Sequence, residues 1–277
     1  MSRRWLGVLL AWGLALSSLR ARASTIYFSY ADAQYLRPSQ QRGGAALLPD
    51  EPSSAPLPVV VFLHGTNPSG ALHLWLGGGG RDLRPLAQRL MSDEQVGSFV
   101  LAAPSQTKNA RLAHSLWSGF DLAAFVSDLS RALDGQVALD PARVLLVGHS
   151  GAGCNPRGGL AYLAGRSKKP ALLPLGLVSI DPCLNAEMGR ALAGRPARVP
   201  LSVLWQAAIW QRAPQAFWRA LDELRPPERV DRMTQLRARG ANPHRAIVPP
   251  AFEQAVREWL GEPLSAPPTE EPRASLD

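Results

Sequence analysis

Arg143-Val-Leu-Leu-Val147-Gly148-His149-Ser150-Gly151-Ala152-Gly153 is the stretch on which the fold turns. Val144 to Val147 form an unbroken apolar run, the pattern of a strand buried on both faces. It stops at Gly148, and the residues around Ser150 are small. Helical spacing resumes over Ala152–Ala164, so the stretch predicts strand, sharp turn, helix. The same alternation continues outward. Downstream come strands at Leu175–Ile180, Val199–Trp205 and Met233–Ala238, with helices at Leu184–Leu192, Pro214–Leu224 and Pro250–Leu260. Upstream, Phe120–Leu133 has helical spacing, and Ser98–Ala103 and Pro58–Leu63 read as buried strands. Residues 37–58, rich in Pro, Gly, Ser and Gln, read as a loop, and Thr25–Tyr30 as an edge strand. Buried strands alternating with helices predict an α/β fold, a mostly parallel central sheet with helices on both faces. Ligands of such sheets bind beyond the carboxyl ends of the strands.

Three of those ends carry reactive side chains. A serine hydroxyl is a weak nucleophile until a base takes its proton and a sharp turn holds it clear of its neighbours. Such a turn needs very small residues two before and two after the serine, here Gly148 and Ala152. In this it resembles the nucleophile elbow of the α/β-hydrolase superfamily, with Ala152 where glycine is usual and Gly153 displaced by one. The strand Pro58–Leu63 runs into His64-Gly65-Thr66-Asn67. In the resembled superfamily an HG pair here builds half of an oxyanion hole, whose N–H donors hold the charge that develops in acyl transfer. The resemblance implies one donor from Gly151 and the other from Thr66, or alternatively Asn67, with His64 structural.

The strand Leu175–Ile180 ends in Asp181-Pro182-Cys183. A carboxylate there can orient a histidine base. Most members of the superfamily carry the acid after the next strand, where this chain reads Gln206-Ala207-Ala208. Chlorophyllase-like and certain lipase-like members place it earlier, as Asp181 would be. Asp222, Glu223, Glu228 and Asp231 remain rival acids. Of five histidines, His64 and His149 belong to the motifs, His73 and His114 precede the serine, and His244 alone follows Asp181. Ser150, Asp181, His244 is the superfamily's nucleophile–acid–base order.

The resemblance spans nearly all of residues 25–261 and implies a serine hydrolase of carboxylic esters working without cofactor. Small-molecule, lipid and polymer esters are all open as substrates. A peptidase or amidase, an acyltransferase, and a non-catalytic binding module of the same fold are the alternatives. His73, Asp82 and His114 lack metal-ligand spacing, so no metal is expected. Gly77–Gly80 lacks the Lys-Ser/Thr ending of a phosphate-binding loop and reads as a loop over the pocket. Trp75, Trp117, Trp205 and Trp210 suit either the core or an apolar pocket.

The 277 residues are 46% hydrophobic and 19% charged, enough apolar material for one sizeable core. The formal charge is +8, half of it carried by four arginines in the first 23 residues, which hold no acid. Arginine supplies 27 of the 30 basic residues without a run, so nucleic acid is not an expected partner. Arg3-Arg4, the apolar stretch Trp5–Leu16 and Ala21-Arg22-Ala23 follow the grammar of a secretory signal peptide over residues 1–23. Export to the periplasm or beyond is expected, by the general or the twin-arginine route, and no apolar run is long enough to span a membrane. In an oxidising compartment Cys154 and Cys183 are expected to form a disulfide. Residues 24–261 then form one hydrolase domain, and residues 262–277 a disordered tail.

Overall fold

The computed structural model describes residues 24–31, 33–51, 53–155, 159–160, 172–193, 199–210, 213–224 and 231–261. The expected leader, the expected tail, Glu228 and most of the helix expected over Ala152–Ala164 lie outside the described residues.

Eight strands make one sheet. In chain order they are β1 (Thr25–Phe28), β2 (Gly44–Leu47), β3 (Leu57–Leu63), β6 (Val100–Pro104), β7 (Leu139–His149), β8 (Gly176–Ile180), β9 (Leu201–Trp205) and β10 (Asp231–Gln235). Across the sheet they run β1-β2-β6-β3-β7-β8-β9-β10. From β6 to β10 every pairing is parallel, and β2 is antiparallel to both β1 and β6. β3 is buried along its whole length, as a central strand covered on both faces must be. Its alternate side chains enter two different cores. Val59, Val61 and Leu63 join one, and Val60 and Phe62 the other.

Helices cover both faces. Packing on the first core are α2 (Leu122–Ala132), α4 (Ala186–Ala193) and α6 (Ala213–Asp222), through residues such as Phe125, Met188 and Phe217. Packing on the second are α1 (Arg84–Met91) and α8 (Val248–Leu260), through Leu90 and Phe252. Three short helices, α3 (Gly151–Cys154), α5 (Ala207–Trp210) and α7 (Pro243–Ala246), each begin just beyond a strand end or loop on the carboxyl side.

Two expectations change. Residues 37–58 are not all loop, because β2 lies within them. Gly-Ala-Ala-Leu carries no alternation to reveal a strand. It is held by its neighbours, Gly44 pairing with Phe28 on one side and Pro104 on the other. A Cβ on Gly44 would lie 2.6 Å from the Phe28 ring, so close pairing there requires glycine. The glycine run is likewise a paired segment, with β5 (Gly78–Asp82) set beside β4 (Leu74–Trp75). Gly77, Gly79 and Gly80 have positive φ, and a Cβ on Gly78 would fall 1.8 Å from the Leu72 carbonyl oxygen.

Candidate active site

β3, β7 and β8 are neighbours in the sheet, so the loops leaving their carboxyl ends meet above it. Ser150 follows β7 directly with φ 55° and ψ −124°, a conformation side chains rarely adopt. Such a residue costs about 1–3 kcal/mol and persists only where its surroundings enforce it. Here the Ser150 N–H donates to the Ile180 carbonyl at 2.8 Å, and the Ser150 carbonyl accepts from the Gly153 N–H at 2.9 Å.

The small residues of the turn each have a packing reason. A Cβ on Gly148 would meet the Ala152 Cβ at 3.3 Å, so one methyl fits between these two positions and a pair crowds. That accounts for alanine at 152. Gly153 is needed for a different contact, since a Cβ there would lie 2.1 Å from Ser179 Oγ and 3.2 Å from Pro182 Cβ. It lets α3 lie against the end of β8. A Cβ on Gly65 would lie 2.7 Å from Ser150 Cβ, which explains the glycine of the HG pair.

The three residues expected to act together are in contact. His244 Nε2 lies 2.8 Å from Ser150 Oγ, and His244 Nδ1 lies 2.5 Å from Asp181 Oδ2. With the Nδ1 proton donated to the carboxylate, Nε2 presents its lone pair to the serine hydroxyl. Asp181 is fully buried, and its N–H donates to the Leu204 carbonyl at 2.7 Å. His244 stands on α7, whose first turn is capped by the Asn242 side chain accepting from the Arg245 N–H at 3.1 Å. Among the rival acids, Asp231 accepts from the Leu201 N–H at the amino ends of β9 and β10, the opposite edge of the sheet from the site. Asp222 and Glu223 are exposed at the end of α6.

Gln206 takes a part that the sequence reading did not assign. It follows Trp205 at the carboxyl end of β9, buried, with its Nε2 donating to Asp181 Oδ2 at 3.0 Å and its N–H to Asp181 Oδ1 at 3.3 Å. The Gln206 Oε1 in turn accepts from the Ile209 N–H at 3.3 Å, which fixes the amide's orientation. The absence of an acid after Trp205 was the available signal. A buried carboxylate one strand over needs donors, and an amide at this position supplies them.

The two residues expected to supply oxyanion donors adjoin the serine, Gly151 following it and Thr66 following Gly65, where a Cβ would touch Ser150. Gly151 opens α3, so its N–H has no carbonyl one turn back to bond. The Thr66 N–H makes no hydrogen bond among the described residues. The Asn67 N–H is occupied, donating to the Ala110 carbonyl at 2.7 Å. Of the two alternatives for the second donor, Thr66 is therefore the one left free.

The remaining histidines of the motifs are buried and neutral. His64 donates from Nδ1 to the Gly65 carbonyl and accepts the Gln106 N–H on Nε2, and burial pushes its pKa down to about 4. His149 donates from Nε2 to the His244 carbonyl at 2.9 Å. Burial first, then the nearby His244, lower its pKa to about 3. Its ring stacks on His244 with centroids 4.7 Å apart and meets the edge of Trp75 at 5.8 Å. Trp117 donates from Nε1 to the His64 carbonyl at 2.9 Å. Trp75, Trp117 and Trp205 are all buried, so these three brace the loops from within the core. The Trp210 side chain lies outside the described residues.

Cys183 lies two residues past Asp181, and the described part of Cys154 is its backbone at the end of α3. Among the described residues no helix is long and apolar enough to cross a membrane.

No protein-family model matches the chain, and no curated protein matches it. Solved structures do. An IroE-like serine hydrolase from Shewanella oneidensis is 14% identical, with a TM-score of 0.59 over 86% of this chain and 80% of that one. A ferulic acid esterase is 13% identical, with a TM-score of 0.55 over 86% and 97%. An acylaminoacyl peptidase from Pyrococcus horikoshii is 14% identical, with a TM-score of 0.52 over 92% and 44%. The chain spans between 42% and 44% of the length of the acylaminoacyl peptidases it matches.

Proposed function

We propose, from the α/β-hydrolase fold that this chain shares with those structures, that it is a serine hydrolase cleaving carboxylic esters through an acyl-enzyme on Ser150. The observation that carries the reading is the continuous hydrogen-bonded chain from Ser150 Oγ through His244 to the buried Asp181. His244 Nε2 takes the hydroxyl proton as Oγ attacks the ester carbonyl carbon. The carbonyl oxygen becomes an oxyanion held by the N–H groups of Thr66 and Gly151. The imidazolium, stabilised by Asp181, returns its proton to the departing alkoxide. Water then attacks the acyl-enzyme with His244 again acting as base, releasing the acid and restoring Ser150. An ester is the easiest acyl donor for such a site, because its carbonyl is less resonance-stabilised than an amide's and its leaving oxygen depends less on a well-aligned proton donor than an amide nitrogen does.

The reading extends to the cysteines and the leader. A Cys154–Cys183 disulfide would tie α3 to the loop carrying Asp181. The close approach of the neighbouring Gly153 and Pro182 supports it. A loop of about 30 residues closed in this way contributes roughly 3 kcal/mol. Denatured, unreduced protein that titrates with two free thiols would exclude it. Cleavage after Ala23 with export predicts a mature protein beginning at Ser24, read directly by mass spectrometry.

The first experiment is hydrolysis of p-nitrophenyl esters of increasing acyl length by residues 24–277, beside Ser150→Ala. Turnover that disappears in the variant, with Ser150 labelled by a fluorophosphonate only in the parent, is the expected result. Faster cleavage of a matched anilide than of the ester would move the assignment to an amidase. A folded parent that neither turns over ester nor takes the label would leave only the binding-module reading.

A further inference from the structure

The loop beside the oxyanion donors encloses an open cavity of about 440 Å³. Its walls include Arg37, Asn67, Lys108, Arg111 and His114, and among the described residues no acid lines it. An adjoining cavity of about 300 Å³ shares Lys108 and His114 and has no acid among its described lining residues. None of Arg37, Lys108 and Arg111 has a carboxylate partner among the described residues, whereas Arg84, Arg131, Arg232 and Arg257 all do.

The cations are held together by the fold. The Tyr35 carbonyl accepts from the N–H groups of both Thr107 and Lys108, at 2.8 and 2.9 Å. Thr107 Oγ1 accepts from the Arg37 N–H at 3.1 Å. Gly70, with φ 65°, leaves the space that the Arg37 guanidinium fills, since a Cβ there would lie 2.4 Å from Nη2. The segment that carries this wall also adjoins the HG loop and the residue after the nucleophile. The Ala110 carbonyl accepts from Asn67 of the HG loop, and a Cβ on Gly151 would lie 3.0 Å from the Ala113 Cβ. Like charges gathered beside a reaction centre without counter-charge repel one another, and a negative group entering the cavity relieves that repulsion.

We infer that the ester this site cleaves carries an anionic group, a carboxylate or its equivalent, which seats between Arg37, Lys108 and Arg111 while the ester carbonyl reaches Ser150. The inference rests on the hydrolase reading and names the substrate class for it. The cavity is of a size that holds a small ligand. The cationic side chains are exposed, so their pull on the substrate is a salt-sensitive one that falls as the Debye length shortens.

The test compares matched pairs of esters on the full mature chain. Mono-p-nitrophenyl glutarate is set against p-nitrophenyl butyrate for charge on the acyl side. 4-Acetoxybenzoate is set against its methyl ester for charge on the leaving side. Expected is a kcat/KM at least tenfold higher for the charged member of one pair in low salt, shrinking severalfold as sodium chloride is raised. Lys108→Glu and Arg111→Glu are expected to abolish that preference by lowering kcat/KM for the charged ester. Arg89→Glu, the same charge change on exposed α1, is expected to leave the preference intact. Equal kcat/KM within both pairs, or a preference that survives high salt and both reversals, overturns the inference while the hydrolase reading stands. If no ester turns over, the hydrolase reading has failed, and the cavity is judged by titrating the protein with mono-p-nitrophenyl glutarate. Binding weakened at least tenfold by the reversals supports it, and absent or unaffected binding overturns it.

Discussion

Asp181 is buried away from water, and among the described residues His244, the Gln206 side-chain amide and the Gln206 N–H bond its carboxylate. Gln206→Ala removes the side-chain donor and leaves one carboxylate oxygen less well satisfied. A hydrogen bond to a charged group contributes about 1.5–3 kcal/mol, so kcat is expected to fall roughly tenfold or more with KM little changed. Steady-state kinetics on a good ester separates this from a folding defect, because a merely destabilised enzyme keeps its kcat per folded molecule. A second change tests the oxyanion loop. Gly65→Ala puts a methyl 2.7 Å from Ser150 Cβ and 2.9 Å from the His149 carbonyl oxygen. Neither neighbour can yield without moving the turn itself. Activity is expected to drop by about two orders of magnitude, the scale associated with small misplacements of reacting groups. Circular dichroism is expected to stay that of the parent, with the melting temperature lowered by the strain of the added methyl, about 1–3 kcal/mol. The need for a small residue at 148 and 152 was legible from the sequence, as was the histidine at 244. The Gln206 amide was not, because only the folded chain shows which carboxylate it faces.

Each element that carries the site depends on a neighbour. α7 is a single turn, and its Asn242 cap stands two residues before His244. Asn242→Ala is expected to cost about 1 kcal/mol at that turn and to lower kcat more than it lowers the melting temperature. α8 follows directly and buries Phe252 in the second core against Phe62, ring centroids 6.2 Å apart. Phe252→Ala is expected to destabilise the whole domain by about 3–5 kcal/mol, measured by urea unfolding, because the sheet cannot collapse into the space left. β3 and the Val144–Val147 part of β7 were readable as strands since a doubly covered strand is apolar at every position, whereas the half-buried or exposed start of β7 from Leu139 was not. β2 was not, since two alanines, a glycine and a leucine suit many conformations and the pairing with β1 and β6 makes the choice. α1 was unread for a similar reason. Its apolar positions are few, and burial of Leu86, Leu90 and Met91 against the second core defines its inward face.

For the molecule as a whole, burial of His64 and His149 sets a pH dependence of stability. Both folded-state pKa values lie below the model-peptide value near 6.5, at about 4 and about 3. Between those values and pH 6.5 the unfolded chain binds protons that the folded chain does not, so stability rises with pH through this window. It is fully present above pH 7 and is lost as the pH falls. At pH 5 each histidine contributes a loss of about 2 kcal/mol, read as a lower urea midpoint than at pH 7.5. Equal midpoints at the two pH values would mean that these rings do not stay neutral on acidification. The charge map is also a property of the whole. Arg37, Lys108 and Arg111 look like compositional background in the sequence, yet the fold brings Arg37 beside the other two in a cavity with no acid among its described lining residues. The chain's own order of residues was enough for the alternation of strand and helix, the serine turn, the HG loop and the identity of the one late histidine. Those features are local, set by apolar periodicity and by the space a turn allows. The contact between Ser150, His244 and Asp181, the choice of Thr66 over Asn67 as free donor, the clasp of Gln206 and the gathering of cations needed the tertiary structure. Each is a meeting of groups far apart in sequence, and sheet order with the packing of loops above it decides which of them touch.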